Sequence, residues 1–214
     1  VAYIEHGFKA NKLFVANNTQ YVDPDTVRPS EERNYFLYVG RLQERKGLDI
    51  ALRAFARLKK NNYGDPQLEF VIVGGGDTKD LRKIVQEEGI SDSVKFVGPE
   101  HEQRQLGIWF SHDLTYVSPG HVGLGVLHSF ACGVPVITCS GRLHSVEVSN
   151  CKPDNSVLTA YSVEDVAAAM EKLYVDKDFQ KKLSKNAYKY YWEKCTIDKM
   201  VDGVDDAIKN IIQK

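Results

Sequence analysis

Two stretches of the chain carry residue types suited to holding an anion. The first, "VGRLQERKG" (39–47), puts Arg41 and Lys46 after Gly40, at the end of an apolar run and just before a helical pattern. Two fixed cations near a helix N-terminus suit a phosphate or a diphosphate. The alternative is a pair of solvated surface charges. The second, "SPGHVGLGVLHSFACGVPVIT" (118–138), places Gly120, Gly123 and Gly125 where a helix is about to start. A glycine inside a helix costs about 1 kcal/mol relative to alanine, so something must offset it. One reading is that the glycines let a ligand reach the backbone N–H groups around Val122, Gly123 and Leu124, where the helix dipole also favours negative charge. The other is close packing of the helix on a neighbouring strand. His128, one helical turn after Leu124, is either a satisfied, half-buried histidine or a ligand-binding one. A third cluster, "VGGGDTKD" (73–80), fails the dinucleotide fingerprint, because Lys79 stands where its last glycine belongs, and reads as a tight turn.

These loops need a frame, and the chain supplies strand and helix patterns in alternation. Short apolar runs at 35–40, 68–76, 94–98, 113–119 and in "VPVIT" read as buried parallel strands. Between them, Leu48, Leu52, Phe55 and Leu58 recur at helical spacing. "DLRKIVQEEG" forms a second helix, with Gly89 at its C-terminal cap. A short helix falls within 99–112. Repeated βα units predict a Rossmann-like parallel sheet flanked by helices. In that class, ligands bind beyond the carboxyl ends of the strands, where both anion-binding loops fall. The last third is helical: Ser162 and Asp165 form a capping box, and further helices cover 176–193 and 197–212. The segment 19–34, with two prolines and many polar residues, reads as a linker. The apolar patch "KLFVA" (12–16) reads as a lone strand.

Composition narrows the function. The chain has 214 residues, 43% apolar and 27% charged, with a formal net charge of −1. That balance fits an ordinary globular protein and not a nucleic-acid binder. The lysines of 177–194 alternate with acids and aromatics, as on a solvated helix face. No apolar run approaches the roughly 20 residues of a membrane span, and no signal peptide is visible. The chain starts at Val1, as a processed or truncated product would. Cys132, Cys139, Cys151 and Cys195 form no CxxC pair and read as reduced, structural residues of a cytosolic protein.

The order of these motifs resembles the C-terminal, donor-binding half of a family 4-like glycosyltransferase with the GT-B fold. The resemblance runs from about 35 to 212, through "YVGRLQERKGLDIALRAF", "LEFVIVGGGDTKDLRKIVQEEGISDSVKFVG" and "LTYVSPGHVGLGVLHSFACGVPVIT". It implies a donor domain over 35–214, with residues 1–34 as the end of a preceding domain plus the linker. "GR" and "KG" of the family match Gly40-Arg41 and Lys46-Gly47, and there the two basic residues hold the donor diphosphate. The family signature Glu-x7-Glu departs here: aligned on "FACG", its glutamates fall on Gly120 and His128. In the family the first contacts the donor sugar and the second the ribose. The chain therefore resembles a subgroup of bacterial polysaccharide glycosyltransferases with "SPGxVGL…HS" in this place.

The resemblance implies transfer of a sugar, with retention, from a nucleoside-diphosphate sugar to a saccharide or lipid-linked acceptor, the acceptor being held by a domain this chain lacks. It implies a cytoplasmic enzyme with the nucleotide sugar as substrate, no cofactor and no metal, and it leaves peripheral membrane association of the complete enzyme open. Arg41, Lys46, Gly40, Gly120, Val122, Gly123, Leu124 and His128 are the expected site. Two rivals stay open: a non-catalytic nucleotide-sugar-binding or regulatory protein, and a GT-B nucleotide-sugar epimerase.

Overall fold

The computed structural model describes residues 2–27, 33–61, 67–141 and 144–212, so part of the expected linker, 28–32, lies outside the described residues. Six strands form one parallel sheet: β1 (Tyr35–Val39), β2 (Glu69–Val73), β3 (Val94–Gly98), β4 (Asp113–Val117), β5 (Val136–Cys139) and β6 (Ser156–Thr159), in the order β3-β2-β1-β4-β5-β6. The helices are α1 (Ala2–Glu5), α2 (Leu48–Lys60), α3 (Lys79–Glu87), α4 (Gln103–Ser111), α5 (Gly125–Ala131), α6 (Val163–Val175), α7 (Lys177–Lys194) and α8 (Ile197–Ile212). This is the expected Rossmann-like α/β architecture, with α2 packed on α3 and α6, and α5 packed on α7.

The central strands are buried on both faces, as in a sheet covered by helices. Phe36 and Phe70 of adjacent β1 and β2 meet Phe55 of α2 edge-on, with ring centroids 6.0 and 5.7 Å apart. One continuous core runs from Val22 to Cys195. Ser162 caps α6, its Oγ accepting the Asp165 amide at 3.1 Å. Gly89, at φ 71°, follows α3 in the left-handed conformation expected of its cap. Among the described residues, no helix is long and apolar enough to cross a membrane.

Three features differ from the sequence reading. Strand β6 was not expected: "SVLT" is too short and too polar to show a strand period, and its pairing with β5 decides it. The 12–16 patch forms no strand. A strand needs a partner for its N–H and C=O groups, and this segment instead runs beneath α8, where Gly203 brings the helix backbone against the carbonyl of Val15. The described part of the linker is anchored: Val22 and Val27 join the core, and the Tyr191 hydroxyl donates to the Gln20 carbonyl at 2.8 Å.

Phe55 is fully buried. Phe55→Ala should destabilise the chain by about 3–5 kcal/mol in chemical denaturation; a loss below about 1 kcal/mol would contradict this view of the core.

Candidate functional site

Strands β1 and β4 lie side by side in the middle of the sheet. After β1 the chain proceeds toward one edge, and after β4 toward the other. The crevice beyond their carboxyl ends is the topological switch point, where ligands bind in such sheets. The loops leaving these two strands are 40–47 and 118–124, the two stretches with anion-binding character. The first is braced from below. Tyr38 Oη donates to the Arg41 carbonyl at 2.9 Å, and Tyr116 Oη to the Val39 carbonyl at 3.0 Å. The amides of Gly40 and Leu42 donate to the carbonyls of Val73 and Gly75, both at 2.9 Å. This brings the loops after β1 and β2 together so tightly that a side chain at Gly74 would collide with the Gly40 carbonyl. The 74–76 cluster thus serves close loop packing.

The two site loops touch backbone to backbone. The Gly120 amide donates to the Lys46 carbonyl at 3.0 Å, and the His121 amide to the Arg45 carbonyl at 2.7 Å. A Cβ on Gly120 would lie 2.6 Å from the Lys46 oxygen and nearer still to the Arg45 oxygen. Gly47, in the left-handed region at φ 69°, completes the turn beneath this contact. A Cβ on Gly125 would lie 2.5 Å from Tyr116 Oη. Packing therefore accounts for Gly120 and Gly125. Gly123 differs, since the one atom near its Cβ position is Lys46 Nζ, at 3.7 Å. The helix itself begins only at Gly125. The buried Val122 has its amide directed at His144 Nδ1, at 3.4 Å. The amides of Gly123 and of the partly exposed Leu124 have no acceptor among the described residues.

Lys46 is half-buried and donates to the His121 carbonyl at 2.7 Å. Burial lowers its pKa first; the neighbouring Arg45 and Arg41 lower it further, against a smaller pull upward from Glu147. No carboxylate forms an ion pair with it among the described residues. Arg41 is exposed and makes no side-chain hydrogen bond among the described residues. The site is thus a group of three cations beside free backbone N–H groups. Arg45, His121 and Glu147 complete it and were not expected. Arg45 and His121 sit inside the two quoted stretches, whereas Glu147 lies in "SVEVSN", which has no spacing that marks it.

His128, on α5, is 2% exposed and stacks on Phe110 with ring centroids 4.6 Å apart. Its Nε2 is buried with no hydrogen-bond partner among the described residues, and burial lowers its pKa to about 4. The unfolded histidine takes up a proton near pH 6.5, the folded one only near 4. The unfolded state therefore binds more protons between those values, and stability falls as the pH drops through that window. The contribution is about 3 kcal/mol. His128→Leu should remove this share of the pH dependence in unfolding titrations from pH 7 to 4; an unchanged pH profile would contradict it.

Known proteins share this sequence pattern and this fold. Residues 23–190 match the family model described as Glycosyl transferases group 1. A D-inositol 3-phosphate glycosyltransferase of Corynebacterium jeikeium is 31% identical over 169 residues, covering 73% of this chain and 40% of that protein. The O-antigen chain mannosyltransferase C of Escherichia coli is 27% identical, over 79% of this chain and 45% of its own length. The chain therefore spans less than half the length of these curated relatives. Among solved structures, HepE of Anabaena in complex with UDP and glucose superposes with a TM-score of 0.76 at 17% identity, covering 97% of this chain and 60% of HepE. The C-terminal domain of the group 1 protein LpcC from Francisella tularensis gives 0.68 at 20% identity, covering 83% of this chain and all of that domain. With most of its length matched by the family model and its sheet shared with these GT-B structures, the chain belongs to the group 1 glycosyltransferases.

Proposed function

We propose that this chain is the donor-side domain of a retaining glycosyltransferase and holds a nucleoside-diphosphate sugar at the β1/β4 switch point. The observation that carries the reading is Lys46. Its ammonium is half-buried beside Arg41 and Arg45, has a backbone carbonyl as its hydrogen-bond partner, and pairs with no described carboxylate. A diphosphate supplies the missing negative charge and can accept from Lys46, Arg41 and the amides of Gly123 and Leu124. Cleavage of the bond between the anomeric carbon and the diphosphate leaves negative charge on the departing diphosphate. The same fixed donors stabilise that charge as it builds. A Cβ at Gly40 would lie 3.0 Å from Tyr38 Oη, so Gly40 serves the tight turn that carries Arg41. His128 serves the ribose: a neutral imidazole donates with one nitrogen and accepts with the other, and its Nε2 has no partner among the described residues. The acceptor, a saccharide or lipid-linked glycan in polysaccharide synthesis, is held outside this chain.

One observation favours a second reading, a nucleotide-sugar-binding protein without transferase activity. Gly120, at the position of the family's first glutamate, is closed to any side chain by the loop contact. Sugar transfer to any acceptor by the full-length protein rejects that reading.

Titration with UDP, GDP, ADP and pyrophosphate tests the site. Arg41→Ala and Lys46→Ala should each weaken binding roughly tenfold to a hundredfold, the worth of a charge-assisted hydrogen bond. Unchanged affinity in both would place the diphosphate elsewhere. His128→Ala should weaken the best nucleoside diphosphate by roughly fivefold, one ordinary hydrogen bond, and leave pyrophosphate unchanged. Equal losses for both ligands, or none, would remove the ribose assignment.

A further inference from the structure

If the site takes a nucleotide sugar, some side chain must meet the sugar, and it cannot be the one the family signature supplies. At Gly120 the backbone lies against the carbonyls of Arg45 and Lys46, with no room for a Cβ. The sugar is bonded to the outer phosphate, so its protein contact must stand next to the cation that holds that phosphate.

His121 occupies that place. Its main chain is fixed on both sides: the amide donates to the Arg45 carbonyl, and the carbonyl accepts from Lys46 Nζ, each at 2.7 Å. A backbone held this way aims the side chain. The imidazole makes no hydrogen bond among the described residues, and its Nδ1 is buried without a partner. Most buried ring nitrogens are paired, so this one is available to a ligand.

Beside it stands Glu147, 6% exposed, whose Oε1 accepts from Asn18 Nδ2 at 2.9 Å. Its segment is stitched to the glycine loop, since Ser145 Oγ donates to the Val122 carbonyl at 2.8 Å. Burial pushes the Glu147 carboxyl up, but hydrogen bonds from its own amide and Asn18, together with the nearby His121, hold it below the ordinary carboxylate range. Its Oε1 is taken up by Asn18, and the carboxylate acts on the ligand through its neighbours His121 and Lys46.

We propose that His121 is the side chain that recognises the donor sugar, in place of the glutamate that the Gly120 contact excludes, and that Glu147 is its positioning residue. This rests on the reading of the cleft as a nucleotide-sugar site. An imidazole, with one donor and one acceptor, matches a sugar hydroxyl.

The test is calorimetric titration of the chain with matched pairs: UDP and UDP-glucose, GDP and GDP-mannose, ADP and ADP-glucose. The readout, for the pair bound most tightly, is the factor by which the sugar tightens binding. His121→Ala should reduce that factor about tenfold while the bare nucleoside diphosphate binds within twofold of wild type. His121→Asn, which keeps a donor and an acceptor, should recover part of it. Glu147→Gln should reduce the factor less than His121→Ala does. An unchanged factor in His121→Ala, an equal loss for both members of the pair, or a wild type for which the sugar adds no affinity overturns the assignment to His121. Absence of binding by all three bare nucleoside diphosphates instead overturns the reading of the site itself.

Discussion

Two backbone hydrogen bonds, Gly120 N–H to the Lys46 carbonyl and His121 N–H to the Arg45 carbonyl, hold the site together. They join the loop after β1 to the loop after β4, the two strands at which the sheet changes direction. Without that contact, Arg41 and Lys46 would sit on one independent turn and the free amides of Gly123 and Leu124 on another. With it, cations from one loop and N–H groups from the other face the same crevice, and Lys46 Nζ lies near the open face of Gly123. The contact also dictates composition. It demands glycine at 120 and fixes the backbone of His121 on either side. In a crevice partly shielded from water, donors fixed in this way need little reorganisation when charge develops on a bound diphosphate.

The rest of the fold serves this arrangement. The aromatic core of Phe36, Phe55 and Phe70 locks β1 and β2 to α2, which starts directly behind Lys46. Tyr38 and Tyr116, stacked with ring centroids 6.1 Å apart, spend their hydroxyls on the carbonyls that shape the loop after β1. From the far side, the segment carrying His144, Ser145 and Glu147 ties into Val122. Asn18 reaches the same carboxylate from the amino-terminal stretch, so the crevice is bordered by chain segments far apart in sequence.

Much of this was legible in the residues. The apolar runs, the first three ending in glycine, marked β1 to β5, and the spacing of Leu48, Leu52, Phe55 and Leu58 marked α2. Both loops that form the site were visible as cations or glycines at strand ends. What could not be read depends on contacts between distant segments. Strand β6 exists because β5 offers an edge, and its own four residues carry no clear period. The glycines at 120, 123 and 125 look alike in sequence, yet two answer to packing and one faces only the Lys46 ammonium, a distinction set by which loop lies opposite. Glu147 gave no local sign, because its role comes from neighbours more than twenty residues away. The 12–16 patch shows the converse, apolar residues without a sheet edge to join.

The most direct test of this account is a paired measurement on Gly120→Ala: affinity for a nucleoside diphosphate by titration, and folding by thermal unfolding. The added Cβ must force the Lys46 and Gly120 backbones apart, since it would stand 2.6 Å from the Lys46 oxygen. Gly120→Ala should give a chain that still unfolds cooperatively but binds the diphosphate at least tenfold more weakly, because its two sets of donors no longer converge. A Gly120→Ala chain that binds with wild-type affinity would contradict it.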